Sequence, residues 1–235
     1  MADSNPHRYP DADVAAVYRA IAERRDMRHF RPDPVAPELL ERLLWAAHLA
    51  PSVGYMQPWR FVRITDRALR ERMHGLVEEE RRATARALGE REEDFMRLKV
   101  EGLLEAAEVI VVALADGREK HVFGRRTLPE MDLASVACAI QNMWLAARAE
   151  GIGLGWVSIF DPDKLAALLA MPAGARPVAV LCIGHVEVFY PKPMLEIHEW
   201  ATRKPLEAVL FENAWQADAD AASAGKGRAG DDRAG

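Results

Sequence analysis

Apolar residues recur at helical spacing from residue 13 to residue 24, where Val14, Val17, Tyr18 and Ile21 share one face and Asp13 is the expected cap. After the turn at Pro32 and Pro34 the pattern resumes. Leu39, Leu40, Leu43, Leu44 and Ala47 predict a helix from about Pro37 to Leu49, ending before Pro51. Ala50 to Trp59 reads as a loop, with two prolines and a glycine, leading into a strand from Arg60 to Ile64. Compact apolar runs predict buried strands at Val109 to Ala115 and Pro177 to Ile183. Between them, Leu133, Val136, Ala137, Ile140, Met143, Trp144 and Ala147 mark a long central helix over Pro129 to Glu150, and a short helix follows at Pro162 to Leu169.

Two stretches depart from these patterns. Asp66 to Leu88 and Glu92 to Leu104 read as two helices broken near Gly89, dense in Glu and Arg. A solvated pair held by i,i+4 charges and a mobile lid over residues 66–104 fit that composition equally well. Gly151-Ile152-Gly153-Leu154-Gly155 has the look of a dinucleotide fingerprint. However, it follows a helix and leads into an expected strand, Trp156 to Ile159, the reverse of the order phosphate binding requires. These glycines are expected to end a helix and let backbones approach closely.

Past His185 the apolar residues Phe189, Tyr190, Pro191, Pro193, Met194, Leu195 and Trp200 show no helical period. Such an arm needs another surface, and a second subunit is the simplest one, so a homodimer is expected. Residues 1–12 are expected to be a flexible N-terminus. Residues 217–235, without large apolar side chains, are expected to be disordered, which leaves one domain over 13–216.

Composition narrows the function. Half of the 235 residues are apolar, and the net charge of -5 is spread over interleaved acids and bases. No nucleic-acid partner is expected from such a surface. The longest apolar runs are too short for a membrane span, so no membrane partner is expected and the chain is placed in the cytoplasm. Cys138 and Cys182 sit in apolar segments and are expected to be buried free thiols. No His-x-x-x-His or comparable pair is present, and no metal site is assigned. Trp45, Trp59, Trp144 and Trp156 are expected in the core.

Arg24-Arg25-Asp26-Met27-Arg28 carries the candidate chemistry, with three guanidinium groups around one carboxylate. The surplus positive charge suits a phosphate, which arginine grips through a planar fork of donors. A solvated basic helix end accounts for the motif equally well.

Together, this segment, the Ala50-to-Trp59 loop ending Gln57-Pro58-Trp59, Gly155-Trp156-Val157-Ser158-Ile159-Phe160 and Arg203-Lys204-Pro205-Leu206 resemble the flavin-dependent nitroreductase family over about residues 13 to 212. The resemblance implies an α+β nitroreductase-like fold with a central mixed or antiparallel sheet flanked by helices. It also implies a homodimer with exchanged C-terminal arms, and FMN. By position, Arg24, Arg25, Arg28 and Arg203 would hold the phosphate and flavin carbonyls, with Met27 in the same segment. Ser52, Leu98, Val157 and Ile159 would line the ring, and Gly54 would lie close to bound oxygen.

Asp26 stands where the family has serine. With Gly184-His185-Val186 and the run Phe189, Tyr190, Pro193, Met194, Leu195, Glu196, it resembles one branch of the family. In that branch reduced FMN is the substrate, and O2 fragments it to 5,6-dimethylbenzimidazole, the lower ligand of vitamin B12, and erythrose 4-phosphate. The resemblance makes Asp26 and Ser158 the chemical side chains and implies a separate flavin reductase that supplies reduced FMN. The flanking arginines are expected to keep Asp26 ionised, as a base. The alternatives are an NAD(P)H-dependent nitroreductase or flavin reductase that retains FMN, and a flavin-binding protein without chemistry.

Overall fold

The apolar runs become the two central strands of a four-stranded antiparallel sheet. The computed structural model describes residues 5–215 and contains β1 (Trp59–Arg63), β2 (Glu108–Leu114), β3 (Gly153–Val157) and β4 (Arg176–Gly184) in the order β1-β2-β4-β3. Phe61 faces Val112, Val111 faces Val180, and Gly155 faces Cys182. Every residue of β2 is buried, which explains why it reads as a continuous apolar run without alternation.

Helices cover both faces of this sheet. α1 (Asp11–Glu23) and α2 (Pro37–His48) precede β1, and α3 (Arg67–Ala87) and α4 (Glu92–Arg97) separate β1 from β2. α5 (Met131–Ala149) precedes β3, and α6 (Pro162–Leu168) precedes β4. On one face, Leu40, Leu43 and Ala47 of α2 and Val136, Ile140 and Met143 of α5 pack on Ile110, Val112, Leu181 and Ile183. On the other, Met73 and Val77 of α3 and Leu165 of α6 pack on Val109, Val111, Val180 and Cys182. Alternate strand residues thus feed two separate cores. The first half of α3, inside the segment with a lid as one reading, belongs to the second core.

Several expectations are corrected. α1 is capped by no side chain, and Asp13 lies within its first turn beside Asp11, where it favours the helix dipole. β3 begins at Gly153, two glycines earlier than a strand at Trp156, because those glycines are needed inside it, as shown below. α4 stops at Arg97, where Leu98 turns extended, and the expected helix to Leu104 is irregular chain whose buried Glu101 accepts the Leu103 amide at 2.7 Å. Cys138 and Leu133 are exposed, since the 3.6-residue period puts Val136, Ala139, Ile140 and Met143 inward and turns these two out. Trp45, expected in the core, is also exposed, on the outer side of α2.

The described residues divide between Met194 and Leu195 into two compact units. The short α7 (Met194–Ile197) lies at the division. In the second unit Trp200 donates its amide to the Leu195 carbonyl, a 3-10 turn covers Leu206–Ala208, and the Phe211 and Trp215 rings meet at a 45° tilt with centres 5.3 Å apart. The tail expected to be disordered, 217–235, lies outside the described residues. No helix of the described residues is long and apolar enough to cross a membrane.

Candidate active site

The chain leaves α1 at Arg24 in an extended conformation and runs along the free edge of β3, where Asp26 forms a parallel bridge with Leu154. The Met27 amide donates to the Leu154 carbonyl at 3.0 Å. Glycine makes this docking possible. A Cβ on Gly155 would lie 2.1 Å from the Met27 carbonyl oxygen and 2.6 Å from Arg28 Nη1, and one on Gly153 would lie 2.4 Å from Val186 Cγ1. The glycine run therefore serves close backbone approach, as its sequence order indicates.

Asp26 is held on both oxygens. Oδ1 accepts from the Trp156 amide at 2.9 Å and from Arg28 Nη1 at 2.5 Å, and Oδ2 accepts from Arg28 Nη2 at 2.7 Å. The buried Arg28 also donates to the carbonyls of Trp156 at 2.9 Å and Met27 at 3.1 Å, while its Nε is buried without a partner. Although 42% of the Asp26 side chain stays accessible, burial pushes its pKa above the ordinary carboxylate value. The charge and hydrogen bonds of Arg28, the Trp156 amide and the charge of Arg24 pull it back without cancelling that rise. The arginines favour the ionised form of Asp26, as expected, and burial, which a linear sequence does not display, opposes them.

The other two arginines have different surroundings. Arg25 donates to the carbonyls of Ala22, Arg24, Tyr190 and Pro191, tying α1 to the start of the arm. Arg24 lies over the Trp144 ring, 4.5 Å from its centre. The Tyr190 hydroxyl, which the sequence reading left without a role here, accepts the Arg28 amide at 3.2 Å and meets His29 Nδ1 at 2.6 Å.

Ser158 follows β3 directly, exposed and without a hydrogen bond among the described residues, so its hydroxyl is not consumed by local backbone. It opens on a cavity of about 320 Å³ shared with Leu133, Phe160 and Arg176, whose walls do not include Asp26. Val157 is buried in the second core and Ile159 is half-buried.

Ser52, Gly54 and Leu98 have surroundings of their own. Ser52 Oγ accepts the Gln57 amide at 3.1 Å, closing a loop in which Gly54, Tyr55 and Gln57 all have positive φ, at 52°, 54° and 47°. The Phe123 carbonyl covers Gly54, 2.9 Å from where a Cβ would stand. Leu98 is buried, with its carbonyl accepting from Arg81 at 2.9 Å. Arg203 belongs to the second unit. Ser135, in the buried stripe of α5, accepts the Val53 amide at 3.0 Å; a serine amid an apolar helical face was its only signal in the sequence.

A flavin fits this donor set in part. An unpartnered buried guanidinium nitrogen and an unpartnered hydroxyl flank the same strand, whereas most donors of Arg25 and Arg28 already hold protein carbonyls.

Residues 21–185 match the nitroreductase family, and the chain belongs to it. It is 46% identical over 187 residues to the 5,6-dimethylbenzimidazole synthase of Rhodospirillum rubrum, covering 77% of this chain and 87% of that one. It is 38% identical to the enzyme of the same name from Rhodobacter capsulatus, covering 82% and 94%. Among solved structures, iodotyrosine deiodinase bound to FMN and 3-iodo-L-tyrosine superimposes with a TM-score of 0.66 at 22% identity, over 85% of this chain and all of that one. That likeness carries the fold alone.

Proposed function

We propose that this chain fragments reduced FMN with O2, releasing 5,6-dimethylbenzimidazole and erythrose 4-phosphate. The observation that supports the reading is the Asp26 carboxyl docked on β3, the strand that leads directly into Ser158. The carboxyl accepts the Trp156 amide, and the unpartnered hydroxyl belongs to the residue two positions further along the chain. The identity to relatives named for dimethylbenzimidazole synthesis supports it. FMN is substrate here, and reducing equivalents come from a separate flavin reductase.

Fragmenting the flavin requires proton transfers at several atoms, which a carboxyl within hydrogen-bond reach can relay. Ser158 would donate to the ring. Arg24, Arg25, Met27 and Arg28 would hold the phosphate and carbonyl side, and Ser52, Gly54, Leu98, Val157 and Ile159 the ring side. A homodimer would cover the exposed apolar faces of α1, with Val17, Tyr18 and Ile21, and of α5, with Met131 and Leu133.

The family match equally favours a nitroreductase or flavin reductase that retains FMN. Asp26→Asn and Ser158→Ala separate the two readings. Fragmentation predicts that both variants bind FMN yet lose benzimidazole. A variant pair with undiminished flavin turnover against NAD(P)H would support the retained cofactor instead.

A further inference from the structure

Ser135 stands outside every group assigned above, yet it holds one end of a loop with strained backbone. Two non-glycine residues, Tyr55 and Gln57, occupy the left-handed region within three positions, and Gln57 does so immediately before Pro58, where that geometry is further disfavoured. Strain of this kind persists only where the surroundings over-determine it, and it concentrates at working sites.

The surroundings here are specific. From inside, Ser52 Oγ and the Ser52 carbonyl accept the amides of Gln57 and Tyr55, at 3.1 and 3.0 Å. From below, the 4% exposed Ser135 accepts the Val53 amide at 3.0 Å while its hydroxyl donates to the Met131 carbonyl at 2.6 Å, one turn back in α5. That donation fixes the hydroxyl proton, so a lone pair faces Val53. From above, the Phe123 carbonyl covers Gly54, and Gly124 (φ 72°) approaches Val53 so closely that a Cβ there would lie 2.7 Å from Val53 Cγ2. The covering loop is itself anchored to α5. Buried Asp132 accepts from Arg118 Nε at 2.8 Å and Arg125 Nε at 3.2 Å. Both the loop and its cover are therefore referred to the first turns of one rigid helix.

We infer that Ser135 is a positioning residue that sets the Val53–Gly54 backbone against the reacting flavin and thereby decides how O2 is used. The inference rests on the fragmentation reading above, in which Gly54 lies beside oxygen. It assigns Ser135 no contact with substrate. Its loss should change partition between products while leaving flavin binding in place, because the phosphate-side groups lie on the other segment.

The test measures benzimidazole formed and H2O2 released per O2 consumed, together with reduced-FMN affinity and melting temperature, in the full-length protein. Ser135→Ala is expected to lower benzimidazole per O2 about fivefold, the factor matching one hydrogen bond of typical strength, with affinity held within about twofold. Ser135→Thr, which keeps the hydroxyl, should retain most of the yield. Wild-type yield in Ser135→Ala, or a loss that merely follows lost flavin binding, overturns the inference. Should Ser135→Ala not fold, Gly124→Ala presses on Val53 from the other side, and unaltered partition there overturns it equally. If the wild-type protein makes no benzimidazole, it is the fragmentation reading that falls. Loop control is then read from the rate at which O2 oxidises bound reduced FMN, and a Ser135→Ala rate equal to wild type rejects it.

Discussion

Arg28 closes on Asp26 with both arms of its guanidinium, Nη1 to Oδ1 at 2.5 Å and Nη2 to Oδ2 at 2.7 Å, and with the same nitrogens reaches the carbonyls of Met27 and Trp156. One planar group thus fixes a carboxylate and two backbone segments. Lysine, a point charge with no fork, cannot serve all four acceptors. Arg28→Lys is expected to cost about 1–3 kcal/mol, at the lower end because the carboxylate is partly solvated. Urea unfolding measures this, and an unchanged midpoint would count against the clamp.

Asp26 binds its proton more tightly in the folded protein than its ordinary value of 3.8 implies. Between 3.8 and the folded value, the folded state therefore carries more protons than the unfolded state. Stability falls as pH rises through that window; below it there is no penalty, and above it the penalty is complete. Subtracting the pH profile of Asp26→Asn from that of the wild-type protein isolates this slope. A difference that rises with pH would mean that Arg28 outweighs burial.

Two glycines are predicted to respond oppositely to the same methyl group. Gly155→Ala drives a Cβ into the Met27 carbonyl and should lift residues 26–28 from β3, costing about 1–3 kcal/mol or more and weakening FMN binding. Gly75, exposed within α3, has nothing within 4 Å of its virtual Cβ, and Gly75→Ala should stabilise by about 0.5–1 kcal/mol. Thermal melts of the two variants decide both points together.

Burial pushes the Cys182 thiol up to about 12, leaving about one part in ten thousand as thiolate at pH 8. The second thiol, Cys138, is exposed on α5. A thiol reagent at pH 8 should find Cys182 silent until urea unfolds the chain. Fast labelling of Cys182 in the native protein would contradict its place between β3 and β2.

Periodicity made the architecture legible. The buried runs at Val109 and Pro177 and the helical stripes of α2 and α5 each depend on local repetition, and each appears within a few residues of its expected place. The order of the glycine run around Gly153 and Gly155 was enough to exclude a phosphate loop, though not to show that Met27 and Arg28 fill the space those glycines leave. What stayed hidden depends on long-range approach. The contest between burial and Arg28 at Asp26 is set by atoms far apart in the chain, and the Ser135 contact to Val53 joins residues 82 apart. The apolar stripes of α1 and of the outer side of α5 were legible as stripes, but periodicity does not tell a buried stripe from an exposed one.

The most direct measurement mixes the protein with chemically reduced FMN without oxygen, admits air, and follows products by mass spectrometry. The account predicts 5,6-dimethylbenzimidazole and erythrose 4-phosphate in equal amounts, both absent with Asp26→Asn although that variant still binds FMN. Recovery of oxidised FMN and H2O2 alone from the wild-type protein would contradict it.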